Sequence, residues 1–266
     1  MSHYLLEVKD LNCRFEIERN LFSKNKYLHV LKNINFNLKQ GMTLGIVGES
    51  GCGKSTLCRT LLSLNNKETG NIIWFNKDID QFTKKEFKNF RKKVQIIFQD
   101  PYGSLNPRMT IGNIISEPLE IYKKGNDKKS KTLKVLDIMG KVGLSDLLFN
   151  RFPHELSGGQ CQRVGIARSI INEPDVLICD EPVSSLDLSV QSQILDLLKS
   201  LKNTLNITMV FVSHDLAVVK SISDEVMVLK QGEIVEKSSA EEVFNNPKNE
   251  YTKKLISSVP RINNIG

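Results

Sequence analysis

The sequence lacks the features that would place the chain within or beyond a membrane. No uninterrupted apolar run approaches the roughly 20 residues that a membrane-spanning helix needs. The N-terminus does not have the basic and then apolar layout of a secretory signal peptide. These absences predict a protein that remains in the cytoplasm.

Cysteine patterns of the disulfide or metal-binding kind are also missing. The five cysteines form no CxxC pair, and they are neither paired with histidines nor clustered as a zinc or iron–sulfur site requires. They are predicted to be reduced thiols.

Internal repeats are absent from the sequence. The one stretch of biased composition is the lysine-rich residues 123–131, which are predicted to form a solvated loop.

The composition is that of a globular chain with a modest basic excess. Its 266 residues are 40% hydrophobic, which is enough to bury a sizeable core. The formal charge of +7 comes from lysines scattered through a chain that is also rich in Asn and Ile. Since this scatter indicates a base-composition bias rather than a basic surface, we predict no nucleic-acid partner.

Hydrophobic patterning predicts an α/β fold. Short β-branched runs at residues 43–47, 94–98, 176–179 and 208–212 alternate with longer segments of helical spacing. This alternation is typical of a mostly parallel sheet covered by helices.

Two regions are predicted to differ from this core. Residues 5–8 and 34–38 are predicted strands of an N-terminal antiparallel β-subdomain, joined by a polar loop at about residues 16–26. Residues 100–155 contain no strong strand pattern and are predicted to form a helical insertion.

A phosphate-binding loop is predicted directly after the strand at residues 43–47. Residues 48–55 fit the pattern G-x-x-x-x-G-K-[ST] and precede a predicted helix. Glycines let backbone N–H groups curl around a phosphate, and the helix N-terminus adds partial positive charge. Lys54 is expected to neutralise the β- and γ-phosphates. The Ser55 hydroxyl is expected to bind Mg²⁺, which prefers oxygen ligands.

Two carboxylates follow the apolar strand at residues 176–179, at the edge where α/β sheets bind ligands. Adjacent strand residues point to opposite faces, so the acids are expected to have different roles. Asp180 would hold Mg²⁺ through water, and Glu181 would polarise the water that attacks the γ-phosphate.

Residues 156–160, Leu-Ser-Gly-Gly-Gln, fit the S-x-x-Q capping box that opens a helix. The same residues resemble the signature motif of the ABC ATPases. Together with the phosphate loop, they identify the chain as a member of that family. The resemblance implies a P-loop NTPase core that hydrolyses ATP, with the signature helix facing an ATP held by a partner subunit.

The other landmarks of this family fall in order along the chain. By resemblance, Gln99 contacts Mg²⁺ or the attacking water, His214 contacts the γ-phosphate, and Asp187 lies at the dimer interface. An aromatic residue is expected to stack on adenine; Phe15 matches its place best, with Phe22 and Tyr27 as alternatives. The implied catalytic residues are Gln99, Glu181 and His214. The implied Mg²⁺ ligands are Ser55, Gln99 and Asp180. The implied nucleotide-binding residues are Phe15, Gly48, Glu49, Ser50, Gly51, Cys52, Gly53, Lys54, Ser55, Thr56, Ser157, Gly158, Gly159, Gln160 and Asp187.

One branch of the family is favoured by residues 98–109, 117–119 and 249–256, which resemble importer ATPases for oligopeptides, dipeptides and nickel. Cys161 departs from the basic residue usual after the signature. The resemblance implies a peripheral protein at the cytoplasmic face of the membrane. Its implied partners are two permeases, a second identical or homologous ATPase and an extracytoplasmic solute-binding protein. An ABC ATPase for another solute, or a soluble one without a transport role, is the alternative.

The resemblance also sets the expected domain organisation. Residues 1–266 are expected to form a single ABC ATPase domain, with a helical subdomain at residues 100–155 and a C-terminal tail at residues 245–266.

Overall fold

The computed structural model describes residues 4–18, 26–122 and 127–258. The chain divides into two compact units. The first comprises Met1–Lys84 and Val210–Gly266, and the second comprises Lys85–Met209. Among the described residues, no helix combines the length and apolar character needed to cross a bilayer.

Strands and helices alternate through most of the chain, which confirms the predicted α/β class. The strands are β1 (Tyr4–Glu18), β2 (Lys26–Lys39), β3 (Thr43–Val47), β4 (Thr69–Trp74), β5 (Lys77–Asp78), β6 (Val94–Ile97), β7 (Val176–Asp180), β8 (Thr208–Val212), β9 (Glu225–Lys230) and β10 (Glu233–Ser239). The α-helices are α1 (Lys54–Leu61), α2 (Lys84–Lys93), α3 (Ile111–Ile121), α4 (Lys128–Lys141), α5 (Gly158–Ile170), α6 (Leu188–Leu205), α7 (Leu216–Ile222), α8 (Ala240–Asn245) and α9 (Glu250–Ser257).

An antiparallel sheet of order β2-β1-β4-β5 forms part of the first unit. It confirms the predicted N-terminal β-subdomain, although the strands are longer than predicted. Strand β1 continues to Glu18, so the predicted loop at residues 16–26 begins later than expected, and residues 19–25 lie outside the described chain. The short strands β4 and β5 were not predicted.

The first unit also holds strands β10, β9 and β3, in that order, with the last three residues of β8 beside β3. Strand β3 is buried along its whole length and pairs in parallel with β9, from Leu44 opposite Glu225 to Val47 opposite Val228. A continuous apolar run is expected of a strand covered on both faces. Strand β10 pairs antiparallel with β9, a hairpin that the sequence patterns did not identify. The carboxyl end of β3 leads directly into the predicted phosphate loop.

The second unit contains the parallel pair β6 and β7, aligned from Val94 opposite Val176 to Ile97 opposite Cys179. Helices α3 and α4 lie in the predicted insertion, and the described part of residues 100–155 contains no strand. Helix α4 begins at Lys128 and is capped by Asp127, whose carboxylate accepts from Ser130 N at 2.7 Å. The loop prediction for residues 123–131 is therefore wrong from Lys128 onward, and residues 123–126 lie outside the described chain.

Trp74 connects the antiparallel sheet to the helix that follows the phosphate loop. It lies on β4 opposite Leu6, and its side chain is fully buried. Its indole Nε1 donates to the Leu61 carbonyl oxygen at 2.9 Å. Because the last carbonyls of a helix have no partner within the helix, this bond satisfies one of them and holds the end of α1.

We predict that Trp74→Phe lowers the free energy of unfolding by about 2 to 4 kcal/mol, through lost ring volume and an unpaired Leu61 carbonyl. Urea denaturation followed by far-UV circular dichroism measures this change in stability. Tryptophan fluorescence does not serve here, since the substitution removes the one tryptophan of the chain. Leu147→Ala is the control, because Leu147 is 86% exposed and its loss is expected to change stability by less than about 0.5 kcal/mol. Equal stability of the two variants would contradict the role of Trp74.

Candidate active site

The predicted site residues are divided between the two units. The first unit contains Phe15, residues 48–56 and His214. The second unit contains Gln99, residues 157–160, Asp180, Glu181 and Asp187. Phe22 lies outside the described residues.

The phosphate loop runs from the end of β3 to the start of α1 and needs glycine at both of its ends. Gly48 has φ 153°, and a Cβ there would lie 2.1 Å from the Leu229 carbonyl oxygen. Gly53 has φ 111° and forms the N-cap of α1, where a Cβ would lie 2.9 Å from the Val30 carbonyl oxygen. The backbone can therefore take this curled path only without side chains at these two positions.

Lys54 is the first residue of α1, and its side chain is buried. Its Nζ donates to the carbonyl oxygens of Gly48 at 2.8 Å and Glu49 at 3.0 Å. The first turn of α1, which also contains Ser55 and Thr56, has no acidic residue. The ammonium group and the helix N-terminus therefore combine their positive charge at the loop, which suits an anionic phosphate.

The Cys52 side chain is buried within the loop. Burial raises the pKa of the Cys52 thiol, and the nearby charge of Lys54 offsets this only in part. The thiol is therefore neutral near pH 7. Its backbone closes the loop: Cys52 N donates to Glu49 O at 3.3 Å, and Cys52 O accepts from Gly232 N at 3.0 Å.

The two acids after the buried strand differ in exposure and in backbone conformation. Strand β7 ends at Asp180, which is buried. Glu181 has φ 50°, a left-handed conformation that is strained for a residue other than glycine and that recurs at functional sites. Glu181 lies beyond β7, so the alternation of strand residues does not apply to it, and the premise that both acids are strand residues is wrong.

Gln99 follows β6 and contacts Glu181 directly. Gln99 Nε2 donates to Glu181 Oε2 at 3.2 Å. The Glu181 carbonyl oxygen accepts from Ser184 Oγ at 3.1 Å, which helps to hold the left-handed turn. A carboxylate oriented by an amide in this way can accept a proton from water.

The donors predicted for Mg²⁺ comprise one carboxylate, Asp180, with the neutral side chains of Ser55 and Gln99. Across residues 4–18, 26–122 and 127–258, no group of three or more His, Cys, Asp or Glu side chains is arranged to hold a metal. Mg²⁺ is commonly held by one or two carboxylates together with substrate phosphates rather than by an all-protein cage. Within the second unit, the Asp180 carboxylate therefore suits a magnesium ion that arrives with a nucleotide.

The signature residues open α5 with the predicted capping box. Gln160 N donates to Ser157 Oγ at 3.3 Å, and Ser157 N donates to Gln160 Oε1 at 2.9 Å. Gly159 brings α5 close to α6, since a Cβ on it would lie 2.6 Å from Val190 Cγ1. The residues that follow on α5 face the interior, and burial raises the pKa of Cys161 to about 11.

The segment after Gln99 is bonded to the signature helix within the second unit. Tyr102 Oη donates to the Leu156 carbonyl oxygen at 3.0 Å. Arg168 Nη1, on α5, donates to the Ser104 carbonyl oxygen at 2.7 Å. Two hydrogen bonds therefore connect the chain that follows Gln99 to Leu156, at the start of the signature residues, and to Arg168, near the C-terminal end of α5.

Asp187 and His214 each lie just before a helix. Asp187 is the exposed N-cap of α6, and hydrogen bonds from Ser189 Oγ and Val190 N keep its pKa below the ordinary aspartate value. His214 is exposed and follows β8, between Ser213 and the α7 N-cap Asp215.

Two of the three candidate aromatics for adenine are described, and both lie in the β1–β2 pair. Phe15 is 40% exposed and opposes Leu28, itself exposed. Tyr27 is 45% exposed, but the guanidinium of Arg14 lies 4.4 Å from its ring centroid and covers one face. Phe15 remains the preferred candidate for stacking on a base.

Sequence reasoning missed Tyr251, whose hydroxyl oxygen accepts from Glu49 N in the phosphate loop at 3.2 Å. Residues 249–256 resemble the tail of the family, but this resemblance assigns no role to Tyr251. No local pattern connects a residue of α9 to a loop about 200 positions earlier in the chain.

Comparisons with known proteins agree on one family. The model of the family described as ABC transporter matches residues 31–184, and that described as oligopeptide/dipeptide transporter, C-terminal region, matches residues 235–265. The oligopeptide transport ATP-binding protein OppF of Haemophilus influenzae is 50% identical over 259 residues, covering 96% of this chain and 78% of that protein. The dipeptide transport ATP-binding protein DppF of Escherichia coli is 44% identical over 259 residues, covering 97% of this chain and 77% of that protein.

A solved structure matches the fold as well. The dimeric structure of a post-hydrolysis state of the ATP-binding cassette MJ0796, bound to ADP and Pi, has a TM-score of 0.79 and 28% identity. The match covers 88% of this chain and 98% of that chain.

We predict that Gly159→Ala lowers the free energy of unfolding by about 1 to 3 kcal/mol, because the new methyl group meets Val190 Cγ1. Gly165→Ala, on the same helix, is the matched control: a Cβ there meets nothing within 4 Å, and alanine favours the helix by about 1 kcal/mol. Urea denaturation of both variants checks this. If Gly159→Ala is as stable as Gly165→Ala, the close approach of α5 and α6 does not require glycine.

Proposed function

Because the chain belongs to the ABC transporter ATPases, we propose that it binds and hydrolyses ATP to drive import of oligopeptides or dipeptides through partner permeases. The family match establishes the P-loop α/β fold and ATP hydrolysis coupled to transport. The match of residues 235–265 to the oligopeptide/dipeptide C-terminal region supports the substrate class. The names of the peptide-transport relatives favour peptides over nickel.

The observation that carries the ATPase chemistry is the phosphate loop with its buried lysine. Lys54 Nζ donates hydrogen bonds to the carbonyl oxygens of Gly48 and Glu49. Lys54 begins helix α1, whose first turn has no acidic residue. Lys54 binds the β- and γ-phosphates, and the backbone N–H groups of the loop surround them. Phe15 stacks on the adenine ring.

Glu181 is the proposed general base. Its carboxylate accepts a proton from water as the water oxygen attacks the γ-phosphorus, and the bond from that phosphorus to the β–γ bridging oxygen breaks. The products are ADP and inorganic phosphate. Gln99 orients the carboxylate through the bond observed at 3.2 Å. His214 contacts the γ-phosphate.

Ser55, Gln99 and Asp180 are the proposed ligands of Mg²⁺. When bound, the ion neutralises negative charge on the phosphate oxygens. Asp180 suits this role because it is a buried carboxylate at the end of β7.

ATP-driven closure of a dimer of two ATPase subunits, followed by hydrolysis and reopening, is the proposed motion that drives transport. Ser157, Gly158, Gly159 and Gln160 complete the site of the partner ATPase, and Asp187 lies at that interface. The bonds from Tyr102 and Arg168 support a route by which Gln99 senses nucleotide and the signature helix responds. The helices within residues 100–155 form the proposed subdomain that passes this motion to the permeases.

The proposed assembly contains two permeases, a second ATPase, identical or homologous, and an extracytoplasmic solute-binding protein. The chain lies at the cytoplasmic face of the membrane as its peripheral ATPase subunit. The dimeric state of the MJ0796 cassette supports pairing of two ATPases.

Replacing the general base should separate binding from hydrolysis. We predict that Glu181→Gln binds Mg-ATP normally but hydrolyses it at least about 100-fold more slowly, and that an ATP-bound dimer accumulates. Phosphate release and size-exclusion chromatography measure the two effects. Lys54→Ala is the comparison variant and is expected to lose nucleotide binding. Normal turnover by Glu181→Gln would exclude Glu181 as the base.

The transport assignment predicts specific partners in the cell. Tagged Glu181→Gln protein, purified from membranes of its own host with ATP present, should carry two permeases and a second ATPase, identified by mass spectrometry. Uptake of a labelled tripeptide should be lost in a host that carries Lys54→Ala in place of the wild-type chain. Recovery of ribosomal or DNA-bound proteins alone would contradict transport and leave the ATPase chemistry intact.

A further inference from the structure

We propose that Tyr251 is a positioning residue for the phosphate loop and that its hydroxyl holds Glu49 in the conformation that binds ATP. The inference rests on the proposed function, because it concerns the same nucleotide site. It extends that function by connecting α9 to the affinity for ATP. Tyr251 and Glu49 both lie in the first unit.

Glu49 is held at both ends of its backbone. Its N–H donates to the Tyr251 hydroxyl oxygen at 3.2 Å, and its carbonyl oxygen accepts from Lys54 Nζ at 3.0 Å. The Glu49 side chain is exposed, and its carboxylate also lies near the Tyr251 hydroxyl, so Tyr251 is a partner of both the backbone and the side chain of this residue. A shift of the Glu49 peptide would therefore move one of the two oxygens on which the Lys54 ammonium rests.

Tyr251 is itself fixed and uncharged. Lys230 Nζ, on β9, lies 4.8 Å from the centroid of its ring, within the range of a cation–π interaction. Burial raises the pKa of the Tyr251 hydroxyl, and the bond from Glu49 N offsets this only in part. Tyr251 therefore stays a neutral phenol near pH 7 that accepts the Glu49 hydrogen bond.

The N-terminus of α9 is attached to β10 by a carboxylate. Glu236 accepts from Lys248 N at 2.8 Å through Oε1 and from Asn249 N at 3.0 Å through Oε2. Asn249 then caps α9 by accepting from Tyr251 N at 2.8 Å. The position of the Tyr251 ring thus follows from a short chain of charge-assisted and capping bonds, which makes α9 a firm support for the loop.

Burial alone would raise the pKa of Glu236, but these hydrogen bonds outweigh it and the pKa lies below the ordinary glutamate value. The carboxylate is therefore ionised, and its attachment to α9 is present, at neutral pH.

A structural role and a positioning role for Tyr251 make different predictions. If the hydroxyl only stabilises the fold, its removal lowers the melting temperature and leaves nucleotide affinity unchanged. If the hydroxyl positions Glu49, its removal weakens ATP binding. Without it, the phosphate loop becomes ordered only when ATP binds, and the free energy of that ordering is subtracted from the binding free energy. The rate at saturating ATP should then change little, because Glu181 and Gln99 are untouched.

The test uses the full chain with Tyr251→Phe, which keeps the ring and removes the hydroxyl. We expect the Kd for Mg-ATP, measured with a fluorescent ATP analogue, to rise about three- to tenfold, the range for one lost hydrogen bond. The kcat should stay within about twofold of wild type, while KM rises with the Kd. Tyr122→Phe, the same chemical change in the second unit, is the matched control and should leave the Kd unchanged.

Glu236→Gln is the second variant, because it keeps the hydroxyl and weakens the attachment of α9. It should raise the Kd in the same direction. Wild-type Kd values in both Tyr251→Phe and Glu236→Gln would overturn the inference, as would a fall in kcat at unchanged Kd. Failure of the wild-type chain itself to bind Mg-ATP would instead overturn the proposed function.

Discussion

The buried ammonium group of Lys54 is the constraint on which the first unit depends. A charge taken out of water is unfavourable unless it is hydrogen-bonded, and its partners here are the carbonyls of Gly48 and Glu49. Those carbonyls turn toward Lys54 because the loop curls through backbone angles that only glycine adopts readily. Strand β3, buried and paired with β9, sets where the loop begins. The position of β3, the glycine conformations of the loop and the hydrogen bonds of Lys54 therefore depend on one another.

In the second unit, a left-handed backbone and the hydrogen bonds that hold it occur together at Glu181. The left-handed backbone at this residue is unfavourable by itself, and it persists because Ser184 and Gln99 bond the carbonyl and the carboxylate. The chain that follows Gln99 is bonded in turn to the signature segment through Tyr102 and Arg168. Within the second unit, Gln99, Glu181 and helix α5 therefore belong to one hydrogen-bonded framework.

The parts of the site that depend on neighbouring residues were predicted well. The capping box of Ser157 and Gln160 is formed as expected, since both bonds span three residues. The phosphate loop follows β3 and opens α1, as the glycine spacing indicated. The premise that Glu181 is a strand residue was wrong, because β7 ends at Asp180, just after its pairing with β6 ends. A pattern of side chains alone does not locate such an end.

The sequence by itself determined the α/β class, the order of the motifs and the chemistry that each residue type can perform. These properties follow from local spacing, from hydrophobic periodicity and from the charge of each side chain. The tertiary structure alone decided that Tyr251 hydrogen-bonds the phosphate loop, that Gln99 hydrogen-bonds Glu181 and that α6 packs closely against α5 at Gly159. Each of these contacts joins residues distant in the chain, and their proximity results from the packing of strands and helices that no local pattern specifies.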